Sequence, residues 1–266
     1  MPDLILEEGD GRVVVLTLNL PDQRNPISDP EMIEALLGKL ARLDADPETR
    51  AIILTGAGSA FSSGGNLHSM RAGAGLRAKL PASTRMNYRT GIQRIPLAIE
   101  AMEVPIIAAV NGPAIGAGCD LACMCDLRIA SETARFAESF VKVGIVPGDG
   151  GAWLLPRIVG FSKACEMALT GDPVDAREAL ACGLVSKVVP AAELLDAAKA
   201  LAARIAENPV HAVRMTRRLL RQGRNMELAA ILDMSAAMQA LAHETQDHDE
   251  AVSALLEKRR PVFKGQ

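Results

Sequence analysis

Residues 104–126 read VPIIAAVNGPAIGAGCDLACMCD and decide the fold, because here a buried strand passes through a loop of small residues into a helix. The apolar run from Val104 to Val110 predicts the strand, and the turn formers Asn111-Gly112-Pro113 end it. The small residues 116–118 leave backbone N–H groups uncovered, and the apolar stretch that follows predicts a helix beginning at this loop.

The start of this helix is suited to binding negative charge. Unpaired N–H groups and the helix dipole both favour an anion at a helix N-terminus. Asp120 falls in the first turn, so a carboxylate stands beside the loop. An oxyanion site next to a proton-transferring carboxylate is an arrangement suited to enolate chemistry. The alternative is that Asp120 only stabilises the first turn, by about 0.3–1 kcal/mol.

The composition is that of a globular protein. With 266 residues, 49% of them hydrophobic, the chain is long enough for one large core, or for a main domain with a smaller appendage. The net charge of −3 argues against general nucleic-acid binding. No apolar segment is long enough to span a bilayer and the N-terminus is acidic, so a cytoplasmic location is expected.

The cysteines predict neither disulfides nor a metal site. Five cysteines, an odd number crowded toward the middle of the chain, do not form a disulfide framework. Cys119, Cys123 and Cys125 lack the spacing of paired CxxC motifs, and the four histidines are scattered. We therefore expect these three thiols to behave as small buried hydrophobic side chains and expect no metal.

Two further glycine-rich loops follow the same plan as the first. A strand over 51–55 precedes the loop GAGSAFSSGGN, and the turn GIVPGDGG at 144–151 precedes a helix beginning at Ala152. A strand over 12–18 leads into a polar loop and a helix capped by Ser28 or Asp29. One helix is predicted from Ser83 to Met102, and the last core strand over 184–189.

From about residue 190 onward the pattern is almost entirely helical. It predicts helices over 191–206, 209–222, 226–242 and 247–258. The apolar stripes of such a tail need a partner, so we expect it to pack on the core, on a neighbouring subunit, or on both. The predicted boundary lies near residue 200, with a core that holds the active site over 1–200 and a helical oligomerisation region over 201–266.

Four segments resemble the enoyl-CoA hydratase/isomerase (crotonase) superfamily. They are AFSSGGNL (60–67), VPIIAAVNGPAIGAGCDLACMCDLRIAS (104–131), VGIVPGDGGAWLLPRIVG (143–160) and the C-terminal EKRRPVFKG. The resemblance implies an α/β spiral of ββα units with a helical C-terminal region used for trimerisation, often in hexamers built from two trimers. It also implies an acyl-CoA thioester substrate and no separate cofactor, since CoA is part of the substrate.

The resemblance also implies residue roles. The two backbone N–H groups that hold the thioester oxygen fall on Ser63 and Ala117. CoA and substrate contacts fall on the first polar loop, on the segment after the first oxyanion loop, on the second oxyanion loop, and on a C-terminal aromatic and a basic residue from a neighbouring subunit. These residues are Arg24, Gly64, Gly65, Asn66, Leu67, Gly116, Phe263 and Lys258 or Lys264. The segment from Arg71 to Leu80 is expected to shape the acyl pocket.

The chain departs from the family pattern at the second acid. Family hydratases use two glutamates, of which the first falls on Asp120 and the second on Phe140, a side chain that cannot move a proton. Glu138 and Asp149 are the two nearby acids that would substitute, and in several family isomerases a carboxylate near the third turn shuttles a proton. Asp149 has the alternative role of a turn residue or helix cap.

Enoyl-CoA hydration is therefore the first predicted reaction because it is the commonest in the family, and double-bond isomerisation is the second because one acid is missing. Thioester hydrolysis remains open, since an oxyanion hole also serves acyl transfer. A further alternative is a non-catalytic homologue that binds RNA through a row of basic residues at helical spacing. The competing interpretation is that this row is a solvated or subunit-contact face. The residues are Arg214, Arg217, Arg218, Arg221 and Arg224.

Overall fold

The computed structural model describes residues 3–9, 11–66 and 75–266. Its strands are β1 (Ile5–Gly9), β2 (Val13–Leu18), β3 (Ala51–Gly56), β4 (Ile106–Val110), β5 (Pro113–Ile115), β6 (Leu127–Ser131), β7 (Arg135–Ala137), β8 (Val174–Asp175) and β9 (Lys187–Val189). Its helices are α1 (Pro30–Ala45), α2 (Pro81–Thr90), α3 (Arg94–Ala101), α4 (Ala117–Met124), α5 (Gly151–Val159), α6 (Phe161–Thr170), α7 (Ala176–Ala181), α8 (Leu194–Ala206), α9 (Val210–Gln222), α10 (Leu228–His243) and α11 (Gln246–Glu257).

The main sheet has the strand order β1-β2-β3-β4-β6-β9. The edge strand β1 is antiparallel to β2, and the other neighbours are parallel. Every residue of the central strands β3 and β4 is buried, as the continuous apolar runs in the sequence predict for a parallel sheet covered on both faces.

The two faces of the sheet support two separate hydrophobic clusters. Because side chains alternate along a strand, Ile52 and Leu54 face the cluster that includes α1, α3 and α4. Ile53 and Ile107 point the other way, into a cluster with α8. The predicted domain boundary near residue 200 falls inside α8, which covers a face of the core sheet.

A smaller sheet, with the order β5-β7-β8, lies beside the main one. Isolated parallel bridges pair Pro26 with Gly64 and Ser62 with Ala114. Each repeat of the chain thus contributes one strand to the main sheet and one extended segment to a second layer. A helix follows these two segments. This stacking brings three loops side by side: the polar loop at Arg24, the loop after β3 and the loop before α4.

The single helix predicted from Ser83 to Met102 is wrong, because the chain forms α2 and α3 with a break between them. Gly91 has a non-helical backbone, with φ −107° and ψ −114°. Pro96 fits within the first turn of α3, where its missing N–H is not needed, whereas the interior of one long helix would require that N–H. The break also frees Gln93 to contact another loop.

Two arginines of α9, Arg217 and Arg221, are buried against the core, so the interpretation of a solvated face is wrong for them. Arg218 and Arg224 are exposed, and a subunit contact at this face stays a prediction. Arg217 and Arg221 are buried and both pair with Asp126, at 2.8 Å and 2.7 Å. Arg214 donates to the backbone carbonyl of Asp44 at 2.8 Å, and Arg224 pairs with Glu100 at 3.0 Å. The fifth arginine of the set, Arg218, pairs with Glu103 at 3.3 Å. These contacts anchor α9 to the core and leave little of the set to bind RNA.

Helix α10 has no buried residue although its composition is strongly apolar. Leu228 is 71% exposed and Leu232 58% exposed, and Leu255 and Leu256 on α11 are exposed as well. Within the part of the chain that the structure describes, no helix is both long enough and apolar enough to cross a bilayer.

Candidate active site

The loop after β3, the loop before α4 and the turn at 144–151 line a cavity of about 880 Å³, which we call the catalytic cavity. Gly65 of the loop after β3, Ala117 at the start of α4 and Asp149 of the turn all line it. Among the described residues, neither the Gly65 N–H nor the Ala117 N–H donates a hydrogen bond to a backbone carbonyl of a loop, turn or helix cap. Both therefore remain available to an oxygen bound in the cavity.

The structure argues against Ser63 as an oxyanion donor. Its N–H already donates to the carbonyl of Arg24 at 2.7 Å, a bond that belongs to the stacking of successive chain turns. The next amide, at Gly64, donates to the Ser62 hydroxyl at 3.0 Å. Gly65 is the following residue, and it lines the catalytic cavity with Ala117. Sequence alone did not separate these donors, because SSGG offers adjacent amides of similar character.

Two glycines allow the loop after β3 and the loop before α4 to approach each other. A Cβ on Gly64 would lie 2.3 Å from the Ile115 carbonyl oxygen, and Gly64 also has a φ of +76°. A Cβ on Gly118 would lie 2.2 Å from the Ser62 carbonyl oxygen. Both distances are far below van der Waals contact, so only glycine permits this approach.

Asp149 is the acid that meets the catalytic cavity. Its turn is held in place because the Gln93 side chain donates to the Gly148 carbonyl at 2.8 Å, and the Tyr88 ring packs against Gly148. Burial, with the negative charge of Glu138 added, raises the pKa of Asp149 to about 7. Tyr88 and Gln93 had no functional signal in the sequence, since nothing in their local pattern links them to residue 148.

Asp120 and Glu138 lie behind the cavity wall, at 0% and 1% exposure. The two carboxyl groups are hydrogen-bonding partners of each other, and the Cys119 thiol is a further partner of Glu138. Burial and the nearby charge of Glu138 raise the pKa of Asp120 well above its usual value, because two adjacent buried carboxylates repel each other. The two carboxyl groups therefore share a proton as a pair.

Phe140 lines the catalytic cavity at the place where the family pattern has its second glutamate. A Cβ on Gly116 would lie 3.6 Å from the Phe140 ring, so the ring packs against the loop before α4. Of the three candidate acids, the structure thus brings one to the cavity and places two together in the interior.

A second cavity, of about 540 Å³, is also lined by Gly65 and Ala117 but not by Asp149. Four of the predicted CoA contacts line this second cavity: Arg24, Gly65, Asn66 and Gly116. Gly64 does not line it and packs against the loop before α4 instead. Leu67 and residues 71–74 of the predicted acyl-pocket segment lie outside the described residues. The described part of that segment does line the catalytic cavity, through Leu76, Arg77, Ala78 and Lys79.

The predicted C-terminal contacts do not line either cavity within one chain. Phe263 lines a separate depression with Arg12 and Val13, and Lys258 ends α11 on the surface. Their assignment to a neighbouring subunit's site stays a prediction.

The central thiols are buried as expected, with Cys119, Cys123 and Cys125 at most 2% exposed. Burial and the neighbouring Asp126 charge raise the pKa of Cys125 to about 12, so this thiol stays protonated. Over residues 3–9, 11–66 and 75–266, no group of three or more metal-ligating side chains is found.

The architecture and the sequence have many relatives. The family model described as "Enoyl-CoA hydratase/isomerase" matches residues 8–266. The chain is 40% identical over 255 residues to a putative enoyl-CoA hydratase of Thermus thermophilus, covering 95% of this chain and 98% of that protein. It is 35% identical to 1,2-epoxyphenylacetyl-CoA isomerase of Escherichia coli over 266 residues, covering all of both chains.

The fold matches equally well. The crystal structure of enoyl-CoA hydratase from Bacillus anthracis superimposes with a TM-score of 0.91 and 33% identity, over 99% of this chain and all of that one. The spiral architecture predicted from the sequence is thus confirmed as the crotonase fold. The chain belongs to the enoyl-CoA hydratase/isomerase family and is an enzyme of that family.

Proposed function

We propose that this enzyme is an enoyl-CoA double-bond isomerase in which Asp149 carries the proton. One observation carries the proposal: Asp149 is the candidate acid that lines the catalytic cavity with both proposed oxyanion donors, while Phe140 fills the place of a second acid. A 1,3-proton shift needs one group that both accepts and returns a proton, whereas hydration must also activate water.

The proposed reaction starts from a 3-enoyl thioester. The Asp149 carboxylate takes a proton from C2, and the C–H electron pair forms the enolate with the thioester oxygen. Asp149 then returns the proton to C4 as the double bond moves to C2–C3, so atoms and charge balance without a cofactor. A pKa of about 7 suits both steps, since the group is ionised in part and is still a usable acid.

The Gly65 and Ala117 N–H groups would hold the enolate oxygen. Ala117 is the first residue of α4, where unpaired amides and the helix dipole both favour developing negative charge. These donors are fixed by the glycine-mediated contact of the two loops, so little reorganisation accompanies the reaction. An acyl chain extending from C2 past Asp149 and a CoA moiety in the second cavity follow from this placement.

Enoyl-CoA hydration is the second candidate, and two observations favour it. The Thermus thermophilus relative and the Bacillus anthracis structure both carry the name enoyl-CoA hydratase. Asp120 and Glu138 also form a carboxyl pair one layer behind the cavity wall, where a family hydratase has its first glutamate. For hydration, this pair would need access to a water at C3.

The test is to incubate the enzyme separately with a 3-enoyl-CoA and a 2-enoyl-CoA in D2O and analyse the products by mass spectrometry. Isomerisation predicts a conjugated product that contains no added water. A product heavier by one water would support hydration instead, and release of free CoA would support hydrolysis.

Asp149→Asn and Asp120→Asn are the paired variants for this experiment. We expect Asp149→Asn to lower turnover by about 10²- to 10⁴-fold, the usual contribution of a positioned acid–base group. Asp120→Asn should leave more activity than Asp149→Asn does. The reverse order would transfer the proton-carrying role to Asp120 and contradict the proposal.

We also propose that the enzyme functions as a homo-oligomer, a trimer or a hexamer built from two trimers. The exposed apolar surface of α10 and α11 supports this assembly, because a large uncovered apolar patch on a helical tail is typical of a subunit interface. A cytoplasmic location stays a prediction.

A further inference from the structure

The wall of the catalytic cavity opposite the oxyanion loops has an unusual charge distribution. No Asp or Glu occurs between Glu48 and Glu100, while residues 71–94 carry six Arg and Lys. Helix α2 and residues 76–79 line this wall, so the cations of these two segments lie at the cavity or next to it.

Four of these cations lie near the cavity and are exposed: Arg77, Lys79, Arg85 and Arg89. Among the residues that the structure describes, none of the four forms an ion pair, whereas Arg94 of the same span pairs with Glu34. Arg77, Lys79 and Arg85 line the catalytic cavity, in which Asp149 is the lone acid among the described lining residues. The positive charge there is thus not neutralised within the chain.

The position of this charge separates it from the CoA end of the site. Gly65 and Ala117 line both the catalytic cavity and the second cavity, so the thioester sits where the two meet. Asp149 lines only the first of these two, and the acyl carbons must therefore extend to that side. A third cavity of about 620 Å³ continues beyond it, lined by Arg85, Tyr88 and Arg89.

We propose that the preferred acyl group ends in a carboxylate, which Arg85 and Arg89 bind at the far end of the acyl path. This inference rests on the proposed binding of an acyl thioester at Gly65 and Ala117. Guanidinium groups bind carboxylates through two parallel hydrogen bonds, and α2 places these two four residues apart, on one helix face.

Binding of saturated acyl-CoAs tests the inference without depending on turnover. Calorimetry at low salt would compare dicarboxylic acyl-CoAs, from succinyl to pimeloyl, with monocarboxylic acyl-CoAs of equal carbon number. We expect Kd to be about tenfold lower for the dicarboxylic member at the best length, with a smaller ratio at high salt. Equal or weaker binding of the dicarboxylic member at every length would overturn the inference.

The variant Arg85→Gln/Arg89→Gln should bring the ratio close to one and leave Kd for the monocarboxylic series within about twofold. Arg177→Gln is the matched control, because it removes an exposed arginine of α7 outside these cavities and should keep the ratio. If the double variant weakens both series equally, the arginines serve the CoA phosphates and the inference is wrong. If neither series binds the unaltered enzyme, the acyl-CoA site itself is refuted, together with the inference.

Discussion

At the scale of single residues, the proposed chemistry depends on how three carboxyl groups divide between the cavity and the interior. Asp149 faces the cavity, while Asp120 and Glu138 are almost completely buried. The same burial that removes Asp120 and Glu138 from the substrate places their charge close to Asp149. Their effect on the reaction is therefore expected to be electrostatic.

Activity should depend on pH through Asp149, whose pKa is raised to about 7. Because the carboxylate form accepts the proton, we expect kcat/KM to rise about tenfold per pH unit below 7 and to level off above it. A pH–rate profile on the active substrate measures this. A profile that is flat between pH 5 and 8 would contradict the assignment.

Folding stability should follow the opposite trend. A carboxyl whose pKa is higher in the folded than in the unfolded state favours folding at low pH, and its contribution is lost as pH rises toward 7. Asp149→Asn removes this dependence. As pH rises from 4 to 8, the free energy of unfolding of the variant should therefore increase relative to that of the unaltered enzyme, by up to about 4 kcal/mol. Urea denaturation at both pH values measures the difference, and an unchanged difference between the two proteins would refute the raised pKa.

Glu138→Gln should move the pH–rate profile of Asp149. Removing the negative charge of Glu138 stabilises the Asp149 carboxylate, so the acid limb should shift to lower pH by about one unit. Glu132→Gln is the control, because it removes the same charge from an exposed site. Equal profiles for the two variants would show that Glu138 does not act on Asp149.

Gly118→Ala should separate the oxyanion loops, since its Cβ would lie 2.2 Å from the Ser62 carbonyl oxygen. We expect kcat to fall by about 10²- to 10³-fold, as for the loss of one oxyanion donor. Gly38→Ala is the matched control, because this position in α1 has no atom within 4 Å of the new Cβ. It should keep full activity and add about 1 kcal/mol of stability. Equal activity of both variants would argue against the oxyanion role.

At the scale of elements, α9 is attached to the core through arginines rather than through apolar contacts alone. Arg217 donates to the Ile99 carbonyl at 2.9 Å and pairs with Asp126, which also accepts from the Ile106 N–H at 2.8 Å. Although burial alone would raise it, the two arginines hold the pKa of Asp126 below its usual value. A carboxylate directly before β6, bonded to the first residue of β4, thus links the sheet to α9.

Arg217→Met should destabilise the fold by about 3–5 kcal/mol, because it leaves part of the buried Asp126 charge uncompensated. Arg221→Met should have a similar effect, and the double variant should cost less than the sum, since both arginines share one partner. Arg218→Met, in an exposed pair with Glu103, should cost at most about 1 kcal/mol. Chemical denaturation of the four variants would show the order, and equal losses at 217 and 218 would be contrary to it.

At the scale of the whole molecule, the exposed face of α10 and α11 is where we expect subunits to meet. Replacing both Leu228 and Leu232 by Asp should shift the protein to smaller assemblies, because it places charge within an apolar interface. Leu169→Asp on α6, also strongly exposed, is the control. Light scattering measures the masses, and a monomeric unaltered enzyme, or equal masses for both variants, would refute this interface.

Much of the element order was predictable because each signal is local. The apolar runs of β3 and β4 and the start of α1 at Pro30 are properties of a few adjacent residues. Strands of two or three residues, such as β5, β7 and β8, carry no periodicity and were missed. The break between α2 and α3 was missed because apolar residues on both sides keep a helical spacing.

The sequence by itself determined the family, the layered α/β architecture and the set of candidate acids, because glycine-rich turns, buried strands and capped helices are encoded locally. Only the tertiary structure decided which N–H of SSGG is free, which of three acids meets the cavity and where the α9 arginines point. Those outcomes depend on contacts between residues far apart in the chain, such as Ser63 with Arg24, Gln93 with Gly148 and Arg217 with Asp126. No local pattern records a partner at that separation.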